Sequence, residues 1–268
     1  MRLVAVVRAP AHPEEAATAL ARATGLTAAE ARMRLAPEPP ALVARLEPDA
    51  ARALVEALRA VGLAALSIDA QPALARDRTA ARSVVMDDEG VSFVPRAGEP
   101  VALSWPDVLA VLRGSRASVS EVERTERSKR LSIGAAVMTG GLKLTSTTSK
   151  TVRSSEESIE QVILVYARDG REAVIAEGAF DFSCLGAGMQ PSSTANMAEL
   201  ARRLREKATT AFHDERLLRL GRRPLPQLPG GTVRTQTAVI TRTNTDTSGS
   251  LDVLAELLRQ AVVEGLLP

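Results

Sequence analysis

Aromatic residues are nearly missing from this 268-residue chain: they make up 2% of it, with one Trp and one Tyr. Its cores must therefore be built from Leu, Val, Ile and Ala, which bury less area per residue. Cysteine occurs once, at Cys184. That excludes an intramolecular disulfide framework and fits a reducing compartment. Histidine occurs twice, at His12 and His213, and neither stands near a cysteine or carboxylates at metal-ligand spacing. The chain also lacks GxSxG, HExxH, GxxxxGKS and a GxGxxG in strand context. No catalytic group, metal or cofactor is expected. No apolar run approaches the roughly 20 residues that span a bilayer. The opening MRLVAVVRAPAHPEE is too short in apolar residues for a secretory segment, which needs roughly seven to fifteen. These absences point to a cytoplasmic protein. Charge of one sign is missing too, since 34 basic residues face 32 acidic ones. Nucleic-acid binding is not expected from such a balance.

What is present is enough apolar matter, 45% of the residues, for two domains and connecting segments. Leu3 to Val7 reads as a buried strand. His12-Pro13 opens a helix with Glu14 and Glu15 in its first turn and Ala16, Ala19, Leu20 and Ala23 along one face. Gly25 ends it; Thr27 caps the next helix with Glu30 at capping-box spacing, and Pro37, Pro39 and Pro40 stop that one. A strand follows over Ala41 to Leu46, then a helix from Pro48 with Ala50, Leu54, Ala57, Leu58 and Val61 on one side. Gly62 closes it ahead of a strand over Leu63 to Ile68. The expected order is βααβαβ.

That order, with TGL between the first two helices and DAARALVEALRAVGLAALSI at the close, resembles the C-terminal domain of the bacterial large-subunit ribosomal stalk protein over residues 1 to 70. The resemblance implies a small α+β sandwich of three antiparallel strands covered by three helices. In the stalk family, basic residues of the loop and second helix recruit translation GTPases. Ala29 stands at the first of those positions here and Arg32 at the second. The polar side of the second helix, with Glu30, Arg32 and Arg34, is a candidate partner surface, against the plainer alternative of a solvated face.

Gln71 to Ala80 lacks either period and reads as a linker. Beyond it, Ser83 to Met86 and Val91 to Val94 flank DDEG as a hairpin in which Gly90 supplies a positive φ. A strand at Val101 to Leu103 precedes a short element begun by Trp105 and Pro106. Further strand signals lie at 131–138, 141–145, 161–166 and 171–175, and Ser192 or Ser193 caps a long helix carrying Met197, Leu200, Ala201, Leu204, Ala208, Ala211 and Phe212 on one face. The hairpin followed by LSWPDVLAV is similar to bacterial pleckstrin-homology-like domains. This implies, for residues 81 to 220, a mainly β scaffold closed by a helix that binds ligands through its loops.

Two features suggest anion sites. The turn CLGAGMQPSS offers Gly186, Gly188, Ser192 and Ser193 ahead of a helix N-terminus, where phosphates bind, although an ordinary strand-to-helix connection has the same composition. RTERSKR places Arg124, Arg127, Lys129 and Arg130 beside the polar stretch TSTTSKTVRSSEES, which reads as a mobile loop. With no aromatic anchor next to that basic run, membrane contact is not expected. A Cys184 nucleophile would need His213 brought to it by the fold.

Residues 221 to 250, dense in Pro, Gly, Thr and Ser, read as a flexible tether with a strand at most over 237–243. From 251 to 264 comes an amphipathic helix whose stripe of Leu251, Leu254, Leu257, Leu258, Ala261 and Val262 must bury itself. The tether's reach favours a partner's groove over self-docking. The expected function is a non-catalytic adaptor that binds protein partners through both modules and this helix. A peripheral lipid-headgroup or phosphate-ligand binder is the alternative, and an enzyme using Cys184 the remote one.

Overall fold

A computed structural model describes residues 1–69, 78–131, 145–225, 228, 232–237 and 240–268, and of 124–131, 145–152 and 240 the backbone alone. The protein is α+β, with a curled β-sheet and a C-terminal helix. The expected strands at 131–138 and 141–145 fall mainly outside the described residues, as does most of the expected linker. Among the described residues, no helix is long and apolar enough to cross a membrane.

The first unit runs β1 (Arg2–Val6), α1 (Pro13–Thr24), α2 (Ala28–Leu35), β2 (Ala41–Leu46), α3 (Pro48–Ala60) and β3 (Ala65–Asp69). Its strands form an antiparallel sheet in the order β2-β1-β3. Gly25 takes the left-handed conformation (φ 72°) that ends α1, and Thr27 and Glu30 complete the capping box of α2. Val4 and Val6 of β1 face the helices, where they meet Leu20, Leu54 and Leu58. In α3 the buried face is Ala51, Leu54, Val55 and Leu58, one residue round from the expected stripe. Ala50 and Ala57 are exposed and Val61 is 54% exposed, because β1 and β3 meet the helix on the Val55 side.

The second unit contains β4 (Thr79–Met86), β5 (Gly90–Pro95), β6 (Val101–Ser104), β7 (Val108–Leu131), β8 (Thr145–Ala167), β9 (Glu172–Ala176), α4 (Ser193–Lys207), β10 (Phe212–Asp214), α5 (Leu217–Leu220), β11 (Thr232–Gln236), β12 (Ile240–Asp246) and α6 (Ser248–Val263). One sheet runs β11-β12-β7-β8-β9-β4-β5-β6, with β10 pairing in parallel on β7. The end strand β6 curls back toward the middle of the sheet, where Arg171 in the β8–β9 turn donates to its Ala102 carbonyl at 2.7 Å. The concave side buries Phe93, Trp105, Ile163, Val165 and Ile175 under Met197, Leu200 and Leu204 of α4.

Several expectations need correcting. Gly90 does not use a positive φ; a Cβ there would lie 2.2 Å from the Leu103 carbonyl oxygen of the neighbouring strand, so close approach is what requires glycine. Val108 to Leu112 opens β7 rather than continuing the short element at Trp105, which is a single 3-10 turn. Phe212 belongs to β10 and not to the α4 stripe. The polar stretch expected as a mobile loop is the outer half of β8, paired residue by residue with β7. Arg78, Thr79 and Ala80 are not linker. Arg78 is a mostly buried cation bridging Glu172 (3.0 Å) and Asp252, and β4 begins one residue later.

The largest correction concerns the tail. Within 221–250, β12 pairs with β7 over Ser118 to Arg124 and β11 pairs with β12, so the expected tether holds two strands. The C-terminal helix starts at Ser248 rather than Leu251. Thr247 ahead of it exchanges two hydrogen bonds with Ala117, and Ser250 accepts one from the Leu225 amide. Leu251, Leu254, Leu257 and Leu258 are all buried in the protein's own core, and Val262 packs against that core. They occupy the space between the outer face of the first sheet (Leu3, Ala5, Leu66, Ile68) and the convex side of the second (Leu109, Leu112, Leu164, Tyr166). These side chains are therefore unavailable to a partner. The helix docks in cis because two apolar sheet faces need a cover and it is the element that reaches both. Gly114 and Gly221 permit the approach: a Cβ at either would lie 2.7 or 2.8 Å from Leu251 Cδ1.

Polar contacts fasten the same junction. Arg59 pairs with Glu264, Arg216 donates to the Pro39 carbonyl at 3.0 Å, and Arg219 pairs with Glu38 at 2.6 Å. Leu257 is fully buried whereas Val263 is 55% exposed. Leu257→Ala should cost about 2–5 kcal/mol of unfolding free energy, and Val263→Ala under about 0.5 kcal/mol, in denaturant titrations followed by circular dichroism. Equal costs would mean that the helix is not packed this way.

Candidate protein-interaction surface

The sequence-derived candidates on α2 are already engaged. Glu30 accepts from the Thr27 amide (2.9 Å) and hydroxyl (2.8 Å), which holds its carboxyl below the usual glutamate range. Arg32 pairs with Glu14 of α1, with Nε at 2.8 Å, and Arg34 donates to the Val43 carbonyl of β2. The polar side of α2 thus fastens α2 to α1 and β2, with Arg32 and Glu14 still solvent-exposed.

At the strand-to-helix turn, the helix N-terminus is occupied by the protein itself. Ser192 caps α4 by accepting from the Ala195 amide at 3.2 Å. Ser193 and Thr194 donate to one oxygen of Glu177 at 2.6 and 2.8 Å, while the other accepts from the Gln161 amide at 3.1 Å. Burial works against the charge of Glu177, but these hydrogen bonds outweigh it and leave the carboxyl below its ordinary range. An internal carboxylate therefore already engages the hydroxyls of the first turn of α4. Gly186 serves the turn with φ 53°, and Gly188 leaves room for Arg203, whose Nη2 would lie 2.2 Å from a Cβ there. Glu177 lies 16 residues from Ser193, so no local motif announces the contact.

Cys184 sits at the edge of the concave core, and burial, its largest influence, raises the thiol pKa. The neutral thiol is a poor nucleophile. His213 uses Nε2 on the Ala208 carbonyl at 2.8 Å, and burial lowers its pKa. The structure thus gives Cys184 an unactivated setting.

What remains conspicuous is the β7–β8 ribbon. From Ala117↔Ile159 to Leu131↔Thr145 its strands stay in unbroken antiparallel register, an arm of about 45 Å at ~3.3 Å per residue. Arg124, Arg127, Lys129 and Arg130 lie on the distal part of this arm, opposite Val152, Ser149, Thr147 and Ser146, so the basic run is strand backbone rather than loop. One flank of the arm is covered by β12 over Ser118 to Arg124. On the other flank, β9 pairs with β8 only from Val162 to Tyr166, and no described strand covers β8 before that. Residues 153–159 are all exposed. The proximal arm carries both signs of charge, with Glu121, Glu123, Arg153 and Thr243 around a shallow groove and Arg153 3.1 Å from Glu123.

Comparison with protein-family models, curated proteins and solved structures finds no match to this chain.

The Glu177 carboxyl should titrate below an ordinary glutamate when followed by NMR, and Ser193→Ala should move its midpoint upward. Its depressed pKa contributes stability that is present above the unfolded-state value and lost as pH falls through the folded one. A midpoint at or above the ordinary value would leave the helix N-terminus open to an external anion.

Proposed function

We propose that this chain is a non-catalytic cytoplasmic adaptor whose two modules form a joint base and whose β7–β8 arm engages a protein partner. The observation that carries this reading is the arm itself. Its strands pair beyond the last strand of the base on the β9 side, and its side chains from Arg153 to Ile159 are all exposed. A stretch of that length has use as a contact surface. Its mixed charge favours a protein partner over nucleic acid, and its Ser- and Thr-rich strands offer backbone and hydroxyl groups for strand-type recognition.

The first module is proposed to be stalk-like. Support comes from its βααβαβ order, its antiparallel β2-β1-β3 sheet and the left-handed Gly25 between α1 and α2. The second is proposed to be pleckstrin-homology-like, supported by a curled sheet with α4 across its concave side. In that reading the elongated β7–β8 hairpin takes the place of a ligand-binding loop. The C-terminal helix, which the sequence suggests as a partner-binding element, belongs to the base instead.

Replacing 125–151 by an Asn-Gly turn joins Arg124 to Val152, which are already paired, and leaves the β12 ladder whole. The truncated chain should keep its melting temperature and lose the protein that the full chain captures from its native cytoplasm. Capture that survives truncation would show that the arm is not the contact surface.

A further inference from the structure

The open flank of β8 has a definite polarity. In a β-strand successive residues turn their N–H and C=O groups to opposite sides. Gln161 directs both toward β9, because its amide reaches Glu177 Oε2 at 3.1 Å and its carbonyl accepts from the Glu177 amide at 2.9 Å. No bulge interrupts β8 between there and Arg153, since the single register shift of the β7–β8 ladder lies at Val108/Ala110. Ile159, Glu157, Ser155 and Arg153 therefore point their backbone donors and acceptors outward on the same side, past the end of β9. Such an edge is a template for another strand, and proteins ordinarily cover or interrupt it.

We propose that this edge pairs with the same edge of a second copy of the chain, antiparallel across a two-fold axis at Ser155. Two constraints select that register. Outward-facing residues must oppose outward-facing residues for hydrogen bonds to form, which allows only registers centred on a residue. Among those, centring on Arg153, Glu156 or Glu157 sets like charges directly across the ladder, which is unfavourable. Centring on Ser154 sets Arg153 against Ser155 and leaves the guanidinium without a carboxylate across the seam. Centring on Ser155 instead places Arg153 of each copy opposite Glu157 of the other, twice over by symmetry, and sets Ser154 against Glu156. Arg153 and Glu157 lie on the same face of β8, as the pairing requires, and both are exposed. Arg153 already holds Glu123 of β7 at 3.1 Å, so in the dimer its guanidinium sits between two carboxylates. A self-complementary patch of this kind is what a two-fold interface demands. The result is one continuous sheet running β11-β12-β7-β8 and back through the second copy. This pairing goes beyond the adaptor reading and uses residues that the arm truncation leaves in place, so the two stand or fall separately.

Sedimentation velocity on the full chain over a concentration series should show a monomer–dimer equilibrium. Arg153→Glu and Glu157→Arg should each weaken it at least about tenfold, by setting two carboxylates or two guanidinium groups against each other across the seam. Mixing the two variants should restore dimers, because each cross-copy pair in the mixed dimer again joins a carboxylate to a guanidinium. Ser155→Pro should give monomers with an unchanged melting temperature, since the lost N–H points away from β7. If that variant fails to fold, the charge variants and their mixture decide. A wild-type chain that stays monomeric throughout, a dimer indifferent to these substitutions, or a mixture that fails to associate would overturn the proposal.

Discussion

The fold depends on one helix having two faces to cover. Helices α1, α2 and α3 occupy one side of the first sheet and leave Leu3, Ala5, Leu66 and Ile68 without a partner of their own unit. The curled sheet likewise keeps α4 on its concave side and presents Leu109, Leu112, Leu164 and Tyr166 on the convex one. Either face left in water would be a sizeable apolar patch. Helix α6 fills the space between them, so the two modules share a core that neither can complete alone. The ion pairs of Arg59, Arg78 and Arg219 and the Arg216 hydrogen bond to the Pro39 carbonyl surround that apolar seam and fix its orientation.

Anchoring α6 also sets up the arm. Thr247 is tied to Ala117 by two hydrogen bonds, so the chain entering α6 runs alongside β7 as β12 and covers one flank of the ribbon where it leaves the base. The opposite flank has no such supply of chain, because β9 turns away after pairing with Val162 and Glu177 closes the ladder with its own carboxylate. The same carboxylate accepts from the Ser193 and Thr194 hydroxyls in the first turn of α4. A single residue thus ends a strand pairing and ties down the first turn of a helix, and β8 is left with its open edge.

Much of the first module is legible in the sequence, because Gly25, Thr27, Glu30 and the proline punctuation act locally. The buried face of α3 is not, since alanines at several phases give a helix more than one plausible stripe. For α6 the apolar period announces that a face must be buried but holds nothing about where; the missing clue is in β1, whose run LVAVV is apolar on both sides and so calls for a second cover. The outer arm reads as a loop because its Ser- and Thr-rich strands lack the apolar alternation that identifies strands. Their order comes from the backbone ladder, which composition does not record. The turn at Gly186 to Ser193 resembles an anion site, but its Ser193 hydroxyl is spent on Glu177, which is distant in sequence.

If α6 is the shared core, removing residues 248–268 must weaken both modules together. Thermal unfolding of the shortened chain against the full one, followed by circular dichroism and by Trp105 fluorescence, tests this directly. A large fall in melting temperature, or failure to fold, is expected by both probes. An unchanged transition in the shortened chain would contradict the shared core and return the helix to the role of a free binding element.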